Sequence, residues 1–199
     1  MLRLFALLSE KRHNIPILSG GFMKFLSDLR LLLLSVWLGA ACFFIAVAQS
    51  AFAVLPAREM AGEVVNRTLS VLNYSGLAIA LVLLLTSLIV RKDASRLWVW
   101  AERFLLLLIA AACAVGQFVI GLMLLSVRAQ MGKPIDEVAA DDPLRIQFNN
   151  LHEYSVWVLM AGMAAALIAF FIISNRKFGT ATSKTTTDPF DFSKEFTKK

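Results

Sequence analysis

LLLLSVWLGAACFFIAVAQSAFAVL, residues 31–55, contains no Asp, Glu, Lys or Arg. A helix rises about 1.5 Å per residue, so this stretch crosses a hydrocarbon layer roughly 30 Å thick. Three further uncharged stretches follow at 70–90, 104–127 and 155–174. Each is long enough to span in the same way. Four crossings in 199 residues make lipid the solvent for most of the chain.

The composition agrees. Hydrophobic residues make up 58% of the chain and charged residues 17%, against about 25% charged in an ordinary soluble domain. The longest polar pieces are the two tails and the 128–150 loop, which leaves nothing for a separate soluble domain. One all-α membrane domain, an antiparallel four-helix transmembrane bundle over 31–175, is the expected fold. It is flanked by a cytosolic segment 1–30 and a cytosolic tail 176–199, rich in Thr and Lys and expected to be disordered.

Basic residues orient the bundle. Fifteen of the twenty Lys and Arg fall in the N-terminal piece, the 91–103 loop and the C-terminal tail. Only Arg58, Arg67, Arg128, Lys133 and Arg145 fall in the other two loops. Cations resist translocation, so both termini are predicted inside. The net charge of +6 reflects this topology rather than nucleic-acid binding. Ala46-Val47-Ala48 and Ala51-Phe52-Ala53 resemble signal-peptidase sites, but the first apolar run exceeds a secretory core of 7–15 residues and is expected to be a retained anchor. Met23-Lys24-Phe25 reads as an alternative start ahead of the first span.

Lipid gives apolar helices no hydrophobic reason to associate, so small residues should line their contacts. On the first span Ser35, Gly39, Cys42, Ala46, Gln49, Ser50 and Ala53 recur at helical spacing. The second offers Asn73, Gly76, Ala80 and Ser87, and the third Ala110, Cys113, Ala114, Gln117 and Gly121. The fourth offers Ser155, Gly162, Ala165, Ala166 and Ala169. The second and fourth helices should also extend beyond the outer surface. Ala61, Val64, Val65, Thr68, Leu69 and Leu72 keep helical spacing ahead of the second span; Asp142 and Pro143 are a good N-cap and first helical residue ahead of the fourth. These extensions either pack on each other as a cap or merely lengthen the helices.

The chemistry-bearing candidates lie toward the outer side. His152 shares a helical face with Asn149 and Ser155. Gln49 and Gln117 should lie about 9 and 15 Å below the outer ends of their spans, and Asn73 near the outer start of its own. Together with Glu59, Glu63 and Arg145 they form a candidate polar patch for a ligand or partner; the bland reading makes them inter-helix hydrogen bonds. A soft-metal or haem site is the alternative. Cys42 and Cys113 lie at matching depth, about 16 and 14 Å from the inner ends of their spans, and His152, Met123, Met160 and Met163 are further donors. No phosphate loop, nucleophile elbow or zinc-protease motif occurs, so no catalytic residue and no enzyme activity is expected.

A family resemblance rests on Trp37-Leu38-Gly39, Val54-Leu55-Pro56, Ala61-Gly62, and Asp142-Pro143-Leu144-Arg145 followed by Phe148, Leu151, His152 and Ser155. On these residues the chain resembles a bacterial four-span membrane domain of unknown function that includes vertebrate transmembrane protein 205. The resemblance implies four spans and leaves activity unassigned. It also implies distant similarity to four-helix membrane proteins linked to copper resistance and haem synthesis, where histidines do the work. The expected protein is therefore non-enzymatic and integral to the bacterial inner membrane. It needs no cofactor, and it contacts lipid and either another membrane protein or a second copy of itself.

Overall fold

The computed structural model describes residues 20–89 and 96–175. Helix α1 is Gly20–Val54 and α2 is Arg58–Ile89. The third span, Arg96–Met131, is α3 (Arg96–Ala114), a π-helical turn (Val115–Ile120) and α4 (Gly121–Met131). Helix α5 is Pro143–Ser174. Four helices are thus long and apolar enough to cross a membrane, and they pack as an all-α four-helix bundle. Large apolar side chains cover the outside: Leu32, Phe43, Leu85, Leu107, Leu122 and Phe171 are all exposed. That arrangement suits lipid, and the chain is an integral multi-pass membrane protein.

Sharp local signals delimit the helices. The α1–α2 connection is only three residues long and carries Pro56. Gly132, at φ 60°, ends α4 in the left-handed conformation that glycine adopts without steric cost. The Asp142 side chain accepts from the Leu144 amide at 2.8 Å, with Pro143 opening α5, as the sequence predicts. At 32 residues, α2 and α5 each run about 48 Å and outreach the hydrocarbon layer.

The helices surround one large side chain. Trp37, on α1, is almost wholly buried and donates its indole N–H to the Leu72 carbonyl of α2 at 3.1 Å. Gly76 on α2 leaves it room, since a Cβ there would come within 2.7 Å of the indole Cε2 and of Cys113 Sγ on α3. Gly162 on α5 lies beneath the ring's far edge, 3.8 Å from Cη2 to a Cβ position. One helix thus supplies the knob and the other spans supply the hole.

This explains the chief difference from the sequence reading. On α2 Gly76, Ala80 and Ser87 are buried, on α3 Ala110 and Cys113, and on α5 Gly162, Ala165, Ala166 and Ala169, as predicted. On α1 the small-residue face points outward: Ser35, Gly39, Cys42, Ala46, Gln49, Ser50 and Ala53 are exposed. Its buried face is instead Ser27, Arg30, Leu34, Trp37, Ala41 and Phe44. Turned this way, α1 satisfies the indole N–H on the Leu72 carbonyl and packs the ring into the space left by Gly76 and Gly162; close packing and a paired polar group, rather than removal of apolar area from water, favour this rotation.

One smaller expectation is also corrected. Helices α2 and α5 sit across a diagonal rather than side by side, so their extensions do not form a mutual cap; α5 packs against α4 and α3 instead. Among the described residues α1 runs from Gly20, and Arg30 is buried against the neighbouring helices. The readings made for 1–19 and for the 176–199 tail lie outside the described residues.

Candidate functional site

All four spans line a small cavity in the half of the bundle nearer the α1–α2 and α4–α5 connections, hereafter the loop end. Its walls include Trp37, Asn73, Cys113, Gly116, Ser155 and Gly162. The space is about 10 Å³, room for one water molecule. Asn73, 6% exposed, brings its amide to the wall beside Gly116 of the π-helical turn. A Cβ on Gly116 would lie 3.2 Å from Asn73 Nδ2, so glycine there lets the amide and the turn approach closely. Gly121 donates its backbone N–H to the Gly116 carbonyl, the wide register that defines the π turn. Ser155 donates its hydroxyl to the His152 carbonyl at 2.6 Å.

Of the nine predicted patch residues, only Asn73 and Ser155 line a common space. Gln117 lies half-buried in the π turn, outside the cavity wall, and Gln49 is exposed on the outward face of α1. His152 and Asn149 are exposed near the loop end of α5, as is Glu63 on α2. Glu59 is engaged by Arg128 at 3.3 Å, and Arg145 donates to the Val138 carbonyl. With Arg58–Asp136 at 3.2 Å, these contacts tie α2, α4 and the 132–142 connection together. The two ion pairs are solvent-exposed and contribute only about 0–1 kcal/mol each. The expected single outer patch is therefore a collar of structural pairs with His152, Asn149 and Glu63 projecting from it. Tyr154 and Trp157 are exposed just beyond His152, where amphipathic rings mark a membrane interface.

The soft donors do not converge. Cys113 faces inward against Trp37 and Gly76, whereas Cys42, at similar depth, faces outward. His152 lies exposed toward the loop end, and Met123 and Met160 are exposed as well. Among the described residues no three His, Cys, Asp or Glu side chains gather as a metal-ligand group. Cys42, Cys113 and His152 are thus not gathered into one site within the chain.

A second polar feature escaped sequence reading. At the opposite end of the bundle Arg30 of α1 forms a buried ion pair with Glu102 of α3 and donates to the Leu83 carbonyl of α2 at 3.2 Å. Arg103 lies alongside, donating to the Ser87 carbonyl at 3.0 Å and to its hydroxyl. The charge distribution places Arg30 and Arg103 among the loop cations. The signal was nonetheless present. Glu102 continues the face of Leu106, Ile109 and Cys113, and Arg30 that of Leu34, Trp37 and Ala41, all at core spacing. Two opposite charges on facing core stripes imply each other.

Trp37, Asn73, Cys113 and Gly116 fall within residues 32–133, which match the family model described as Domain of unknown function (DUF4149). The chain belongs to this family. The DUF4149 match takes in α1 from residue 32, all of α2 and the third span, and stops ahead of α5. Three of the four walls of the cavity are thus DUF4149 elements, while Ser155, Asn149 and His152 stand on the helix beyond the match. No curated protein and no solved structure matches the chain.

Proposed function

We propose that this DUF4149 protein is a non-enzymatic inner-membrane subunit that associates with another membrane-spanning helix through the outward face of α1. Its tails lie in the cytosol and its loop end faces outward, following the distribution of Lys and Arg. The observation that carries the reading is the orientation of α1. The other spans bury their small residues against neighbours, while Ser35, Gly39, Cys42, Ala46 and Gln49 face away from the bundle. Small residues let backbones approach closely, and an amide or hydroxyl gains in lipid from a partner on a facing helix. Gln49 has no hydrogen-bond partner among the described residues, so its amide is available to one. The exposed His152, Asn149 and Glu63 offer polar contacts beside that association at the outer surface.

The test is extraction from native membranes into polymer-bounded lipid discs, followed by native mass spectrometry. The expected species contains this chain with a partner, either a second copy or another membrane protein. Gly39→Leu combined with Ala46→Leu should release the free chain. Oxidative cross-linking through Cys42 should distinguish the two partners by product mass. A lone chain in wild-type discs, or a complex indifferent to the double substitution, refutes the reading.

A further inference from the structure

We infer that the cavity between α2 and α5 is a binding site for a single water molecule, which bridges the Asn73 amide to the Ser155 hydroxyl and latches the diagonal of the bundle. Two independent observations meet here. Asn73 is more than nine-tenths buried and makes no side-chain hydrogen bond among the described residues. The space it lines is sized for one water.

Chemistry selects the ligand. A side-chain amide carries two N–H donors and a carbonyl acceptor, and burying these in an apolar environment without partners is strongly unfavourable. The hydroxyl of Ser155 spends its proton on the His152 carbonyl, leaving oxygen lone pairs to accept. A donor amide on one wall and an acceptor hydroxyl on another need a mediator that accepts from the first and donates to the second. Water does both. The water-sized space sets the size of the guest: the Trp37 indole is held by its bond to Leu72, and Val158, Leu159, Leu69 and Ala112 line the sides.

The site also has a structural consequence. Helices α2 and α5 are separated across the bundle, whereas each packs on α3. A bridged water would supply the polar link along that diagonal at the loop end, as Arg30 and Glu102 supply one between α1 and α3 at the other end. The π turn contributes by bringing Gly116, which lacks a side chain, against the amide.

The experiment uses the full chain in lipid bilayers with asparagine side-chain amides labelled with nitrogen-15. The solid-state NMR signal of Asn73 is assigned through its own Cβ. The expected result is a cross-peak from the Asn73 amide protons to the water resonance, present in wild type and lost or weakened in Ser155→Ala. Correlations of that amide to protein protons alone, or to lipid acyl-chain protons, overturn the inference. The wild-type spectrum decides the matter even if the variant assembles poorly, and its outcome is independent of whether α1 finds a partner helix.

Discussion

Adding one methyl group at Gly76 tests the central packing directly. A Cβ on that residue would lie 2.7 Å from both Trp37 Cε2 and Cys113 Sγ, closer than real Cβ contacts allow. Neither neighbour can swing aside at low cost, because Trp37 is anchored to the Leu72 carbonyl and Cys113 is buried. Overpacking of this kind typically costs about 1–3 kcal/mol. Losing the indole hydrogen bond would add about 0.5–1.5 kcal/mol. Against this, replacing glycine by alanine inside a helix gains about 1 kcal/mol. The balance for Gly76→Ala is a destabilisation of about 0.5–3.5 kcal/mol. Gly62→Ala is the matched control, since a Cβ there meets only the end of the Arg128 side chain, at an ordinary 3.9 Å; it should be neutral or stabilising by up to about 1 kcal/mol. Reversible unfolding in mixed micelles measures both. Trp37 emission reports the cause, because Trp98, Trp100 and Trp157 are exposed and change little. Equal stabilities for Gly76→Ala and wild type, with unaltered tryptophan emission, would refute the view that the indole fills the space glycine leaves.

Three further outcomes follow from the geometry. Arg30→Leu or Glu102→Leu alone should each cost about 3–5 kcal/mol by leaving a buried charge without its opposite, while the double substitution should cost far less than the sum; additive losses in the same unfolding assay would show that the pair is not coupled. His152→Ala, at an exposed position, should change stability by no more than about 0.5 kcal/mol. Altered recovery of a co-purifying partner would then give His152 a binding role, whereas misassembly would make it structural. An epitope placed after Gly132 should be protease-accessible in spheroplasts and one at the C terminus protected; the reverse pattern would invert the topology read from the basic residues.

How much of this was legible beforehand depends on whether a property is local. Span number, approximate limits and the Asp142–Pro143 start of α5 could all be read from the chain, because hydrophobic length and capping are settled within a few neighbouring residues. The buried faces of α2, α3 and α5 were legible for a related reason: where a helix offers small residues and has no large side chain to place centrally, its small stripe packs inward. Helix α1 breaks that rule at Trp37. The candidate site was half visible, since Asn73 and Ser155 were singled out but not paired, and Gln49 and Gln117 were assigned to a convergence they do not join.

Sequence alone therefore determined that the chain crosses lipid four times as helices, since transfer into hydrocarbon is a near-additive sum over consecutive residues. Tertiary structure alone decided which way each helix faces, since rotation is a competition among facing surfaces that no single span contains. It turned α1 so that an indole fills the glycine-lined centre and its small face looks outward. It joined Arg30 to Glu102 across 72 positions of chain, and it set a lone amide against a water-sized space. Each of these depends on atoms far apart in sequence competing for the same volume.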